Sequence, residues 1–452
     1  MLNERLFLSF RHVMYSLRGG FLVRPLIIAL ALGCAGALLS AVEETVPDLS
    51  AWAPRVLFPS HADPQVAQVV LTAIAASMMT VVSIVFAILL MTLTLASMQF
   101  SPRIIVSFAR DRVTQQTLGI FLGTFSYCVA ALPAARSVPH PFAPVLTVLG
   151  AMLLALACVV WLLFFIHHIS QAISVNHIVD KIATETEAII DETMPAPRRA
   201  SRMAEADLPE PTEREVAVLS DASGYIRFID INRLVFLAKS YGVVVRVVRR
   251  IGHFVPAGVP LLMVSKGERL SPGRRAELRG AFDLGPTRTL QQDVEFGILQ
   301  IVDIALRAIS PAVNDPSTAI NCADQLSRVL IRFASRDEAT SRRYDPPGIL
   351  RVSIPWRGFD ELVDAAFDQI RLYAKGDIAV SLRLLRALAD IAITIPDPAV
   401  QEMLAERARR IVAGCSERLG DEELARLRGR LSAFERLGRS PESPVGVRST
   451  SA

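Results

Sequence analysis

From Val66 to Phe100 the chain runs VAQVVLTAIAASMMTVVSIVFAILLMTLTLASMQF without one charged residue. At about 1.5 Å of rise per residue, such a helix reaches roughly 50 Å, against a hydrocarbon core of about 30 Å. The run therefore predicts a membrane helix that tilts or projects into water. Ala73, Ser77, Thr80, Ala87, Thr94 and Ser97 recur at steps of three, four or seven, with Ser83 nearby. One face is thus small and weakly polar on a cylinder of Val, Ile, Leu and Met. Small residues let helices approach closely, and hydroxyls can bond across helices or to water. Ser101, Pro102 and Arg103 end the run: proline stops the helix and arginine marks a membrane surface.

The rest of the chain has to accommodate that helix. With 52% hydrophobic residues over 452 and a mean hydropathy of +0.39, the protein is too apolar for one soluble enzyme, yet 20% charge is too much for a wholly embedded chain. The apolar excess lies before about residue 175, which predicts a membrane part followed by a water-exposed part. The net charge of +4 is small, and with both signs interspersed in the second half nothing argues for nucleic acid as a partner. Of five cysteines, Cys34, Cys128 and Cys158 fall in expected spans, while Cys322 and Cys415 stand alone. None has CxxC spacing, which argues against a zinc site or a disulfide framework and fits a reducing cytoplasm.

Three more spans are expected, at about 25–42, 117–132 and 142–166. Arg5, Arg11, Arg18 and Arg24 precede the first, and Arg103, Arg110 and Arg112 precede the third. Glu43, Glu44, Asp48 and Asp63 follow the first, so the positive-inside rule puts both termini in the cytoplasm. Pro133, Pro139, Pro141 and Pro144 bracket a hairpin between spans three and four, where Arg136 runs against the charge rule. The fourth helix is expected to continue as an amphipathic stalk, with Ile169, Ile173, Val179, Ile182, Ile189 and Ile190 on one face.

The expected fold is an α-helical membrane domain of four spans (1–168), a stalk (169–194), a linker (195–214) and a cytoplasmic α+β region, with a disordered tail (438–452). Within the α+β region, residues 215–268 read as a small β-rich module, from the alternation in VVVRVV and turns at Gly224, Gly242, Gly252 and Gly258. Gly224, Tyr225, Ile226 and the run from Gly252 to Leu261 look like the barrel-sandwich half-motifs of biotinyl and lipoyl carrier domains. No lysine sits in a tight turn to carry a cofactor, so only the shape is expected, and no cofactor. Residues 269–437 carry helix-period apolar residues in six segments, interrupted by one strand at Leu350 to Ile354.

Two longer motifs are more specific. Ser97, Met98, Gln99, Phe100, Ser101, Pro102 and Arg103, followed by Phe108, Ala109, Arg110 and Asp111, form the first; the run DVEFGILQIVDIALRAISPAVNDP from Asp293 to Pro316 forms the second. Both resemble the bacterial predicted membrane protein family known as domain of unknown function 2254. The resemblance implies an inner-membrane protein with this layout, and it brings no activity and no catalytic residues. Within the second motif, Asp303 and Arg307 are one turn apart, and Asp315 before Pro316 has the form of a helix cap. Asp303, Arg307, Asn314 and Asp315 either converge to bind an ion or anionic ligand, or serve as a cap and an ion pair at a helix corner.

His167 and His168 are adjacent and cannot chelate one metal as an i, i+4 pair would; an interfacial pair is expected, as is a solvated His177. No P-loop, GxGxxG, GxSxG or HExxH is present. The spans lack the acids intramembrane catalysis would need, so no catalytic residue and no enzyme is expected. Two functions remain. One is a homo-oligomeric pore for a small ion, lined by Ser77, Thr80, Thr94, Ser97 and Arg103. The other is a non-conducting scaffold or sensor whose cytoplasmic domain binds a partner or small ligand. On the second view the hydroxyl stripe packs the spans of one subunit together.

Overall fold

A computed structural model describes residues 23–46, 63–99, 111–137, 141–172, 174–194, 215–336, 342–345 and 348–437. The N-terminal segment, the linker, the tail and the loop holding Arg103 lie outside them. The chain divides into two compact units, Met1–Ser174 and Val175–Ala452.

The first unit is made of α1 (Val23–Thr45), α2 (Pro64–Gln99), α3 (Arg112–Ala131) and α4 (Val145–Ala172). All four helices are long and apolar enough to cross a membrane, at the positions expected from sequence. Glycine sets how close α1 and α3 come. A Cβ on Gly36 would stand 2.6 Å from the Tyr127 carbonyl oxygen, and one on Gly123 would stand 2.4 Å from the Leu32 side chain. Gly119 faces Pro25 and Ile28 in the same way. Gly119 and Gly123 form a GxxxG pair, whose bare surface allows backbones to touch in lipid.

Helix α2 buries a narrow seam, Leu71, Met78, Val85 and Thr92, against α3 and α4. These residues step by seven, the repeat of left-handed helix packing. The stripe residues Ala73, Thr80, Ala87 and Thr94 keep the same step two residues further on. Two residues are about 200° around a helix, so the seam and the stripe occupy opposite faces. The hydroxyl stripe is exposed, and it does not pack the spans of one chain together.

The second unit begins with α5 (Val175–Thr193), and α4 ends at Ala172, so the expected stalk at 169–194 is shared between two helices. Next come β1 (Glu215–Leu219), β2 (Gly224–Ile229), α6 (Ile231–Tyr241), β3 (Val245–Val247), β4 (Phe254–Val255), β5 (Pro260–Ser265), α7 (Pro272–Arg279) and β6 (Phe282–Gly285). Helices α8 (Val294–Ala308) and α9 (Pro316–Ala334) precede β7 (Arg342–Asp345) and β8 (Ile349–Ser353). The unit ends in α10 (Phe359–Tyr373), α11 (Ile378–Thr394), α12 (Pro398–Cys415) and α13 (Asp421–Leu437).

The strands form two open sheets, β1-β5-β3-β8-β7 and β4-β2-β6. No closed barrel exists among the described residues, which corrects the barrel-sandwich expectation. Two features prevent the sandwich. Asp230 caps α6 by accepting from the Arg233 N–H, and Gly242 ends it at φ 66°, so a helix with Leu234, Leu237 and Ala238 inward stands within the stretch read as β-rich. In addition β8 pairs with β3 in parallel, putting Val352 in the same core as Val245 and Val264, so the larger sheet draws on chain far beyond residue 268.

The amphipathic face of α5 is covered. Ile178, Val179, Ile182, Ile189 and Ile190 are buried, and α8 and α9 are the helices in contact. At Gly297 on α8, a Cβ would lie 2.0 Å from the Thr186 hydroxyl, which explains a glycine in the middle of the second motif. Around the rim, Arg328 binds Asp180 and Glu187, and Arg332 and Arg336 both reach Asp191.

Candidate functional site

In the membrane unit the stripe hydroxyls are already satisfied within their own helix. Ser77 donates to the Ala73 carbonyl at 2.8 Å, Thr80 to Ala76 at 3.2 Å, Ser83 to Met79 at 2.9 Å and Thr94 to Leu90 at 2.8 Å. All four are exposed in the single chain. The stripe can therefore face lipid, water or another helix without an unpaired donor. The side chain of Ser97 and all of Arg103 fall outside the described residues.

Polar groups that do cross between helices line the α3–α4 contact. The Trp161 indole N–H donates to Thr117 at 2.9 Å, Thr124 meets Cys158 at 3.2 Å, and the Tyr127 hydroxyl donates to the Thr147 carbonyl at 3.1 Å. At one end His168 meets Asp111, itself the cap of α3, at 3.0 Å; the neighbouring His167 instead bonds Gln171 at 3.2 Å. At the other end Glu43, read from sequence as a loop acid, lies in the last turn of α1 and is 1% exposed. Its carboxylate accepts from the Leu146 N–H at 2.8 Å and from the Thr147 N–H and hydroxyl at 3.1 and 3.0 Å. It thereby satisfies the free N–H groups at the start of α4. Beside it, Arg136 pairs with Glu44, so the basic residue in an acidic loop is neutralised where it sits.

Glu43→Gln keeps the shape but puts an amide where two donors from Thr147 converge. We expect a loss of about 1–3 kcal/mol, read as a lower melting point of the detergent-solubilised chain. An unchanged melt would mean the cap is dispensable.

In the second unit, the start of the second motif holds a denser constellation. Asp293 caps α8, its carboxylate accepting from the Phe296 N–H at 3.0 Å. Arg288 grips the same carboxylate with two bonds, of 2.8 and 2.9 Å, and also reaches Glu295 at 3.3 Å. Glu295 binds Arg357 at 3.0 Å, Arg357 lies 3.6 Å from Glu361, and Glu361 binds Arg250 at 2.6 Å. The chain of charges thus ties the loops after β3, β6 and β8 to α8 and α10. Gly252, at φ 82°, makes room for it: a Cβ there would lie 2.2 Å from the Asp293 carboxylate.

Burial pushes the Asp293 carboxyl up to about 6, against the opposing pull of Arg288 and the Phe296 N–H. Burial and the charge on Arg250 lower the pKa of His253, whose ring lies 3.4 Å from Arg250. A small cavity of about 50 Å³ opens beside this network, between Arg250, Arg357 and Glu295 on one side and Met194, Trp356 and Leu362 on the other. It has room for a few waters or one small ion.

The residues picked out from the second motif occupy its other end. Asp303 lies within α8, and Arg307 is exposed in its last turn. Asn314 is exposed at φ 51°, and Asp315 caps α9 through the Thr318 N–H and hydroxyl. The bond from the Thr318 hydroxyl, more than any other contact, lowers the Asp315 pKa. The structure thus places Asp315 as a cap, and it places the cavity at the opposite end of α8. Arg288, Asp293 and Glu295 lie within eight residues and could have been read as a group from sequence; only the packing adds Arg357, Glu361 and Arg250, which come from loops far apart in the chain.

The model of the family described as "Predicted membrane protein (DUF2254)" matches residues 18–390. An uncharacterized protein of Mycobacterium bovis is 32% identical over 431 residues, covering 93% of this chain and 80% of the relative. An uncharacterized protein of Mycobacterium tuberculosis matches to the same extent. No solved structure matches the chain. With four helices fit to span a bilayer and both long motifs inside the matched region, the chain belongs to the predicted membrane protein family DUF2254.

Proposed function

We propose that the chain works without catalysis as a homo-oligomeric pore or transport-like protein of a bacterial inner membrane, with α2 of each copy lining a shared axis. Both termini and the second unit lie in the cytoplasm, and the second unit regulates passage of a small ion. Ser77, Thr80, Thr94 and Ser97 line the path, and Arg103 of each copy forms a positive ring at its inner mouth, which favours anions.

The observation that supports this reading is the orientation of α2: its apolar seam is spent on α3 and α4, and its hydroxyl face points away from them. A face patterned in sevens and left uncovered by its own chain suits a second copy of the same helix. A second reading, a non-conducting sensor, is supported by the arginine and carboxylate network around its cavity. In that case a small ligand binds at the start of α8 and nothing crosses the membrane.

Ion flux into liposomes, run beside a thermal melt, separates the two. Thr94→Trp should reduce flux severalfold with the melt unchanged, and Arg103→Glu should turn selectivity towards cations. A well-folded chain that passes no ion at any voltage or pH would move the assignment to the sensor.

A further inference from the structure

Charge in the second unit is not evenly spread. Between Ile231 and Gly280 stand ten basic residues and two acidic ones, although the whole chain carries only +4. Within that stretch the structure lays two helices side by side. Arg274, in the first turn of α7, stacks 4.9 Å over the ring of Tyr241 at the end of α6, and Tyr241 bonds Glu277. At the other end Arg233 of α6 donates to the Gly280 carbonyl that closes α7, at 3.3 Å. The pair is therefore antiparallel and tied at both ends. Leu234, Leu237 and Ala238 of α6 point into the sheet core, which leaves Arg233, Phe236 and Lys239 outward. Phe236 is 66% exposed.

We propose that the α6–α7 face is a membrane-docking surface that lies on an anionic bilayer, Phe236 entering the interface and Arg233, Lys239 and Arg274 meeting lipid phosphates. The apolar face of α6 is taken up by the sheet core, so what the surface offers a bilayer is one bare aromatic ring flanked by cations, residue types that settle at a membrane interface. Cations near an anionic leaflet each add to the attraction, which decays within a Debye length. The occupant follows from the chain itself. Four spans hold a bilayer permanently within reach of the second unit, so a weak surface contact becomes an intramolecular one. The exposed ring favours lipid over a purely charged partner. This inference is independent of whether α2 lines a pore.

The test uses the full chain in nanodiscs. Cys34 is the exposed one of the cysteines, the other four being buried, so Ser240→Cys, one turn beyond Phe236, in a Cys34→Ala background takes a single nitroxide label and leaves the ring in place. Collisions of the label with oxygen, which enters lipid, are compared with collisions with a water-soluble nickel chelate. In discs containing phosphatidylglycerol the label should be shielded from nickel and open to oxygen. In discs of phosphatidylcholine alone, the pattern should reverse. Raising salt to about 0.5 M should expose the label again in the anionic discs without any further substitution. Lys239→Glu should shift the label the same way while amide exchange in α6 stays unchanged, since the Arg274 contact with Tyr241 is left in place.

Equal nickel access in both lipids would overturn the proposal. So would spin–spin broadening, which would identify a second copy as the occupant, or shielding produced in phosphatidylcholine discs by duplex DNA.

Discussion

Arg288→Ala is expected to destabilise the second unit by about 3–5 kcal/mol, because it strips a buried carboxylate of its counter-charge. Asp293 is 4% exposed and takes two of the Arg288 bonds. Without them it keeps the Phe296 N–H alone. The loss should depend on pH in a defined direction. Asp293 titrates near 6 in the fold and about 3.9 when unfolded, so its protonated form is the one the fold prefers. The stability it contributes is complete below the unfolded value and is lost as pH rises through about 6. Removing Arg288 removes an attraction that holds the folded value down, so in the variant the loss extends to higher pH. Amide exchange in the Val294–Ala308 helix, followed from pH 4.5 to 8, should show a gap between variant and parent that narrows on acidification. A gap of constant size would mean that Arg288 acts through packing on Phe296, whose ring it covers at 5.3 Å.

Gly36→Leu is expected to separate α1 from α3 and to cost about 3 kcal/mol or more. The obstruction is backbone, the Tyr127 carbonyl oxygen at 2.6 Å from the new Cβ, so no rotamer change relieves it. The consequence should spread along the α3–α4 contact. Tyr127 carries the hydroxyl that bonds Thr147, and Thr147 in turn holds the Glu43 carboxylate. A melt of the detergent-solubilised chain should drop sharply, while a circular dichroism spectrum still reports helix, because each span keeps its own backbone bonds in an apolar solvent. Gly36→Ala should show a smaller drop in the same direction. A leucine variant with the parental melting point would mean that the two helices do not approach as closely as described.

Much of the architecture was legible one segment at a time. A span announces itself because lipid demands a long uncharged helix whatever its neighbours are, and all four were found within a few residues. The helices α9 to α13 were legible for a related reason: a 3.6-residue apolar rhythm needs only the segment that bears it, as the match at Phe359–Tyr373 illustrates. Where two rhythms were superposed the reading failed. Helix α6 lies between Val-rich strands, and its inward Leu234, Leu237 and Ala238 are not singled out in a stretch that the alternation of Val243–Val248 marks as β-rich. The GxxxG pair at Gly119 and Gly123 was present in the sequence but passed over.

Sequence alone determined that the chain has four helices long and apolar enough to cross a membrane, followed by a mixed α and β unit, because segment length, apolarity and period are properties of consecutive residues. Tertiary structure alone decided which face of α2 turns inward, that β8 joins β3, and that Arg288, Arg357 and Arg250 meet Asp293, Glu295 and Glu361 at the start of α8. Apart from the contacts of Arg288 with Asp293 and Glu295, which are five and seven residues away, those outcomes depend on partners distant in the chain. Each residue type is equally at home in a solvated face, a cap or a buried pair, and only the packing that brings the partners together chooses among them.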